Sequence, residues 1–311
     1  MKFKKAVLVN IPTSALDEKY WKELDELVEQ KVLIARDDPN YFNELHDVDC
    51  LLLGFQVPTD RDVFEAAPNL KFIGILATAF GTVDLTAAAE RNIPVCNLAG
   101  YSTESVAEFS VAALLYEIRG LQEAVKRAES GNYDESGIRA RELKGSNVGV
   151  IGLGSIGARF AEIISGFGAH VSYWSQHEKQ VPFEYRELDD LIASSDYVSI
   201  HVAETEDTKN LLDERRLALL KPGSVIVNTV PPSVINTDAL IARLQVGNIA
   251  YVTDHPDSYA EEERAKLAGL SNVTFFPAVA YISDEARIAK QEIFIANIKA
   301  ALNGMPQNQV N

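Results

Sequence analysis

Three glycines, at 152, 154 and 157, stand where the chain could bind a charged ligand. Val148, Val150 and Ile151 before them predict a short buried strand, and Ala158-Arg-Phe-Ala-Glu-Ile-Ile164 after them predicts a helix. A strand, a turn of G-x-G-x-x-G spacing and a helix N-terminus together make a cradle for a dinucleotide pyrophosphate. Gly152 allows the tight turn, Gly154 lets the backbone approach the phosphates, and Gly157 lets helix and strand pack closely. The free N–H groups of Ser155 and Ile156, with the helix dipole, favour the anion.

The second strand of such a unit normally ends in an acid, about 20 residues after the glycines, that takes the ribose 2′-hydroxyl. Here Val171-Ser-Tyr-Trp-Ser175 ends in Ser175. Removing that carboxylate removes repulsion toward a 2′-phosphate, and His177 and Lys179 lie just beyond. NADP(H) is therefore favoured over NAD(H); the alternative is an NAD site that holds its ribose through water or backbone. The histidines, at 46, 170, 177, 201 and 255, show no metal-ligand spacing with cysteine. There is no G-x-S-x-G elbow and no P-loop.

The elements that must position this loop alternate between strand and helix. In the first hundred residues, short apolar runs at 6–9, 50–53, 71–76 and 94–96 predict strands. Helical spacing at 20–30 (Trp21, Leu24, Leu27, Val28), 60–67 and 86–91 predicts helices between them. A proline-free helical stretch at 101–127 crosses into a second domain, and 131–145 reads as a polar loop. Strands are then expected at 148–151, 170–174, 197–202, 224–228, 250–253 and 273–276, with helices such as 188–193, 214–219 and 238–244 between them. Six strands with intervening helices complete a doubly wound, Rossmann-type unit. A final amphipathic helix is expected at 283–303, then a polar loop at 305–311. The fold class is α/β, with two parallel-sheet domains.

With 311 residues, two domains is the natural prior, and 47% hydrophobic residues suffice for ordinary cores. A net charge of −16, from 45 acidic and 29 basic residues, argues against nucleic acid or an anionic membrane as partner. Cys50 and Cys96 lie in apolar runs, which fits buried thiols in a reducing, cytoplasmic compartment. No signal-peptide core and no apolar run of about 18 residues is present.

Several stretches resemble the D-isomer-specific 2-hydroxyacid dehydrogenases, nearest the glycerate dehydrogenase and hydroxypyruvate reductase branch. They are Leu70-Lys-Phe-Ile-Gly-Ile-Leu-Ala-Thr78, Tyr101-Ser-Thr-Glu-Ser-Val-Ala-Glu108, Glu142-Leu-Lys-Gly145, His201, Lys221-Pro-Gly223, Val227-Asn-Thr229 and Asn297-Ile-Lys-Ala300. The resemblance spans essentially the whole chain. It implies a flavodoxin-like substrate domain, 1–100 plus 284–311, into which a Rossmann cofactor domain, 101–283, is inserted. It further implies an active site in the cleft between them and a homodimer formed through the cofactor domain. Thr229 and Asp254 match positions that border the nicotinamide carboxamide. Thr78 and Ala79 match the loop that offers N–H groups to a substrate carboxylate, with Ala79 and Phe80 departing from the usual Gly and Tyr.

Hydride transfer to a 2-keto acid needs a cation to hold the carboxylate and polarise the carbonyl, and an acid to protonate the alkoxide. The resemblance places the family's arginine at Pro231, its glutamate at Asp257 and its histidine at Ala278. Proline carries no charge and alanine no proton, so two of the three roles are lost. His255, between Asp254 and Asp257, and Tyr281, beyond Ala278, are the weak substitutes; His201 and Tyr101 are weaker still. Beside a weak survival of the family's ordinary activity, two functions follow as expectations. One is an NAD(P)-dependent oxidoreductase acting on a small carbonyl or hydroxy substrate through a non-standard site. The other is a catalytically inactive dinucleotide-binding homologue serving as redox sensor or scaffold.

Overall fold

A computed structural model describes residues 1–311. It contains two compact units, Met1–Ser102 with Ser283–Asn311, and Thr103–Ile282. The first holds β1 (Phe3–Val9), β2 (Val28–Ile34), β3 (Cys50–Leu53), β4 (Phe72–Ile75) and β5 (Val95–Cys96). All pair in parallel in the order β2-β1-β3-β4-β5, the flavodoxin-like arrangement. Side chains alternate between two cores as the strand period requires. Val7, Val9, Leu51, Leu53, Ile73 and Ile75 enter one core, and Ala6, Leu8, Cys50, Leu52 and Phe72 the other.

The second core is closed by the helices Glu18–Leu27 and Asp284–Leu302, through Tyr20, Leu24, Phe294, Ile295 and Ile298. Each large apolar side chain so buried contributes roughly 1.5–3 kcal/mol. The long helix starts where Ser283 Oγ accepts from the Ala286 N–H at 3.0 Å. Its buried face is not purely apolar, because it includes Gln291 and Asn297. Both are satisfied: Gln291 Oε1 accepts from the Asp17 N–H, and Asn297 Nδ2 donates to the Asn97 carbonyl at 2.8 Å.

The second unit holds β6 (Asn147–Ile151), β7 (His170–Trp174), β8 (Glu184–Tyr185), β9 (Tyr197–Ile200), β10 (Val225–Asn228), β11 (Ala250–Thr253) and β12 (Val273–Phe275). Their order is β12-β11-β10-β9-β6-β7-β8, all parallel. The order reverses between β6 and β9, the switch point where such sheets bind dinucleotides. No helix is long and apolar enough to cross a membrane.

Several expectations need correction. The helix expected at 20–30 stops at Leu27, and Val28 opens edge strand β2 directly. Its charged outer residues mask the strand period. The helix expected at 101–127 is two helices, Thr103–Ile118 and Leu121–Glu129. They break at Gly120, whose φ of 62° is left-handed and whose absent Cβ leaves room for the Arg139 carbonyl. Strand β8 and the helix Glu261–Ala268 leave no clear periodic signal, the first because it has two residues and the second because charge dominates it. The segment 305–311 is loop as expected, and it is tied down where the Val310 N–H donates to the Val95 carbonyl and the Asn97 N–H to the Asn308 carbonyl. Cys50 and Cys96 are buried and unpaired.

Candidate functional site

Strand β6 delivers the chain to Gly152, whose φ is 94°. A Cβ there would lie 2.8 Å from the His201 carbonyl carbon, so the turn is pressed against the end of β9. Gly154 caps the helix Ser155–Gly166 in extended conformation, with nothing within 4 Å of where its Cβ would be. Gly157 lies beneath, and a Cβ there would overlap the Gly152 carbonyl oxygen. The first N–H groups of the helix have no intrahelical acceptor. The helix starts at Ser155, earlier than the apolar pattern alone indicates.

At the end of β7, Ser175 Oγ donates to the His177 carbonyl at 2.6 Å. Lys179 is fixed at its backbone by Tyr173: its N–H donates to the phenol oxygen at 2.7 Å, and the phenol donates to its carbonyl at 3.0 Å. Its Nζ reaches back to the glycine loop and donates to the Leu153 carbonyl at 2.5 Å. A cation therefore stands beside the place where β7 and the loop meet. Spacing put Lys179 near this region; nothing in it indicated the Leu153 contact.

At the end of β9, His201 packs its ring 5.1 Å from Phe160, and its Nε2 lies 2.8 Å from Ser199 Oγ. Nδ1 is buried without a partner. Desolvation pushes this imidazole down to about 3.

At the end of β10, Asn228 Nδ2 donates to the Val230 carbonyl at 3.0 Å and to Tyr251 Oη at 3.1 Å. The Tyr251 phenol in turn meets Tyr259 Oη at 2.8 Å. This network shapes the turn holding Thr229 and Pro231. Thr229 Oγ1 is buried and has no hydrogen-bond partner. Pro231 leads into a short 3-10 turn, Pro232–Val234. There Ser233 Oγ donates to Glu204 Oε1 at 2.5 Å, which ties the loop after β9 to this turn. The Glu204 contact spans 29 residues and left no sequence signal.

At the end of β11, Asp254 is fully buried. Its Oδ2 accepts from the Ala280 N–H at 3.0 Å, while Oδ1 has no hydrogen-bond partner. His255 Nε2 is 3.7 Å from that free oxygen, too long for a hydrogen bond. Burial raises the carboxyl of Asp254 above its ordinary range, and His255 opposes the shift. Asp257 is exposed in the next turn, Pro256–Ser258. After β12, Ala278 is half-buried and Tyr281 is exposed. Ser105 Oγ, donating to the Ala280 carbonyl at 2.7 Å, holds this segment to the helix Thr103–Ile118.

The second unit thus gathers Gly152, Gly154, Ser155, Ile156, Gly157, Ser175, Thr229 and Asp254 along the C-terminal ends of its strands, where Pro231, His255, Asp257 and Ala278 also lie. Thr78 and Ala79 belong to the first unit. Both are exposed at the end of β4, where Thr78 Oγ1 donates to the Leu98 carbonyl at 3.2 Å and Asn97 Nδ2 donates to the Thr78 carbonyl at 2.7 Å.

The sequence model of the D-isomer specific 2-hydroxyacid dehydrogenase NAD binding domain matches residues 111–280. A glyoxylate reductase of Thermofilum pendens is 34% identical over 281 residues, covering 86% of this chain and 82% of that protein. A glyoxylate reductase of Pyrococcus furiosus is 31% identical over 320 residues, covering 97% and 91%. Among solved structures, an acyclic imino acid reductase in complex with NADPH and D-Arg superposes with a TM-score of 0.88 at 26% identity, covering 99% of this chain and 100% of that one. D-lactate dehydrogenase from Aquifex aeolicus, complexed with NAD and lactic acid, gives a TM-score of 0.83 at 27% identity, covering 96% of each. The chain belongs to the D-isomer-specific 2-hydroxyacid dehydrogenase family.

Proposed function

We propose that this protein is a nicotinamide-dependent oxidoreductase acting on a small carbonyl or hydroxy compound, through a site without the family's usual arginine and histidine. The observation that carries the reading is a pair of buried polar atoms without hydrogen-bond partners, Thr229 Oγ1 and Asp254 Oδ1, on adjacent strand ends beyond an open glycine loop. Buried polar atoms are ordinarily satisfied. An acceptor carboxylate beside a hydroxyl fits a carboxamide, and the uncovered Cβ position of Gly154 fits a pyrophosphate. Ser155 and Ile156 would hold the pyrophosphate through their N–H groups, and Thr229 and Asp254 the carboxamide. The dihydronicotinamide supplies a hydride when bound.

Ser175 and Lys179 border the ribose, and the cation on the Leu153 carbonyl supports NADP(H) over NAD(H). The known complexes in this fold hold either dinucleotide, NADPH in the imino acid reductase and NAD in the lactate dehydrogenase. On the family's register, Pro231, Asp257 and Ala278 stand at the arginine, glutamate and histidine positions. His255 and Tyr281, near those turns, are the side chains that would take over the proton. A homodimer formed through this unit is part of the proposal. It is supported by the helix Leu121–Glu129, which leaves Leu121 and Val125 exposed, with Tyr133 beyond it. A cytoplasmic location is supported by the unpaired thiols.

Fluorescence titration with NADPH and NADH, followed by dihydronicotinamide absorbance across a carbonyl panel including glyoxylate and hydroxypyruvate, tests the reading. Binding and turnover are expected. Failure of both dinucleotides to bind would sink the cofactor assignment. Tight binding without turnover of any substrate would replace the enzyme with the second reading, an inactive dinucleotide-binding homologue, which Pro231 and Ala278 favour. Lys179→Ala is expected to weaken NADPH about tenfold and leave NADH unchanged; equal effects on both would reverse the stated preference.

A further inference from the structure

We infer that the substrate of this site is a cation with a carbon–nitrogen double bond, an iminium ion, and not the anion of a 2-oxo acid. The inference rests on the hydride-transfer reading above and names its substrate class.

A carbonyl acceptor makes two demands on the protein, and Pro231 and Ala278 meet neither. The oxygen must be polarised by a cation, and the alkoxide must be given a proton. An iminium ion brings both with it. Its positive charge already polarises the carbon, and its nitrogen already carries the proton or alkyl group that the product amine keeps. The iminium carbon takes the hydride of the dihydronicotinamide, and the C=N π pair becomes the lone pair on nitrogen. The neutral amine so formed takes its next proton from water. No side chain has to deliver one.

The charge at the strand ends has the sign this substrate needs. The segments after β9, β10, β11 and β12, residues 201–208, 229–235, 254–259 and 276–282, contain five carboxylates, Glu204, Glu206, Asp207, Asp254 and Asp257, and no Lys or Arg. Glu204 is held by Ser233 in the turn that Pro231 opens, so a carboxylate stands two residues from the position where the family carries its cation. Asp254 is taken up by the carboxamide in the reading above, so the carboxylates left to face a substrate are the exposed Glu204, Glu206, Asp207 and Asp257. These four segments of the second unit offer a 2-oxo acid carboxylates and no Lys or Arg, whereas the same charges attract a cation.

Two neutral-against-cation pairs of the same ring size test the inference. Protein loaded with NADPH is offered 1-pyrroline, cyclopentanone and glyoxylate. Protein saturated with NADP⁺ is titrated calorimetrically with pyrrolidinium and with tetrahydrofuran. Expected are oxidation of NADPH by 1-pyrroline alone, and pyrrolidinium binding at least about tenfold tighter than tetrahydrofuran. Glu204→Gln and Asp257→Asn alter exposed side chains and leave the fold intact. Each should weaken pyrrolidinium by about two- to fivefold without changing NADPH affinity. Turnover of glyoxylate or cyclopentanone with 1-pyrroline inert overturns this inference and leaves the oxidoreductase reading standing. Dinucleotide binding with no turnover of any of the three overturns this inference, and the oxidoreductase reading falls with it only when the wider carbonyl panel is inert as well. Pyrrolidinium binding that ignores the two carboxylate variants refutes the charge argument.

Discussion

The sharpest test of the glycine loop is a contrast between Gly154→Ala and Gly157→Ala. At Gly154 the backbone has φ −72° and ψ −167°, which any residue adopts, and a methyl group meets nothing within 4 Å. The gain from a less flexible unfolded chain, about 0.4–1 kcal/mol, is offset by alanine's poorer performance as an N-cap, about 0.5–1 kcal/mol. Gly154→Ala should therefore melt within a degree or two of the parent. At Gly157 the methyl overlaps the Gly152 carbonyl oxygen and lies 3.3 Å from His201 Cβ. The oxygen belongs to backbone, so relief requires moving the helix Ser155–Gly166 off β6. An overpacking penalty of about 3 kcal/mol lowers the melting temperature by roughly 6–12 °C for a unit of this size. Dinucleotide affinity should follow the opposite logic. On the proposed cofactor assignment the Gly154 methyl would fill the space through which phosphates reach the backbone, so NADPH binding should fall about tenfold in a fully folded protein. Circular-dichroism melts and fluorescence titration measure the two quantities separately. Equal thermal losses in both variants, or unchanged NADPH affinity in Gly154→Ala, would refute this account of the loop.

Other consequences follow from buried titratable groups and from the helix break. Burial raises the carboxyl of Glu117, although Thr274 Oγ1 donates to it and Arg141 attracts it. A carboxyl raised in the folded state contributes most below its unfolded value of about 4.5 and loses that contribution as pH rises. Glu117→Gln should therefore gain stability near about pH 7 and none near about pH 4 in urea unfolding; the same increment at both pH values would contradict this. Asp254 is shifted in the same direction, so Asp254→Asn should hold or raise the melting temperature at neutral pH while weakening NADPH; a lower melting temperature with intact affinity would reverse its assignment. His201, pushed down to about 3, should show no imidazole titration by NMR between about pH 5 and 8. Its contribution to stability is full above about pH 6.5 and declines as pH falls from there toward its folded value. Gly120→Ala places a Cβ 2.8 Å from the Arg139 carbonyl at a left-handed residue and should cost about 1–3 kcal/mol by chemical denaturation; a neutral result would mean the break lies elsewhere.

Buried parallel strands were legible because their residues are apolar on both faces. β3 (Cys50–Leu53) and β10 (Val225–Asn228) read as continuous runs, and their residues divide between two cores. Edge strand β2 was not legible, because Glu29, Gln30 and Leu33 face solvent and no turn residue separates Leu27 from Val28. Helix breaks at Gly120 were equally hidden, since a glycine inside an apolar pattern reads as a tolerated interruption. In the site, local geometry was legible where spacing sets it, as at Gly152, Gly154 and Gly157. Contacts set by tertiary packing were not. Glu204 reaches Ser233, Lys179 reaches Leu153, and Tyr251 meets Tyr259 beneath Asn228, and none of these pairs has a spacing rule.

The way the first unit is closed bears on how the chain folds during synthesis. Leu8, Leu52 and Phe72 await Phe294, Ile295 and Ile298, and β5 awaits Asn308 and Val310. A nascent chain that has emerged through residue 102 has its first sheet's strands and the helix Glu18–Leu27 but lacks Asp284–Leu302, the second of the two helices that cover one face. The inserted residues 103–282 hold all seven strands of their own sheet and can mature first. The segment made earliest thus becomes the last to be completed, and its open apolar face is the period of greatest exposure to aggregation and to chaperones. Shortening the chain by its final helix should leave the inserted unit protease-resistant while the residues translated first are digested.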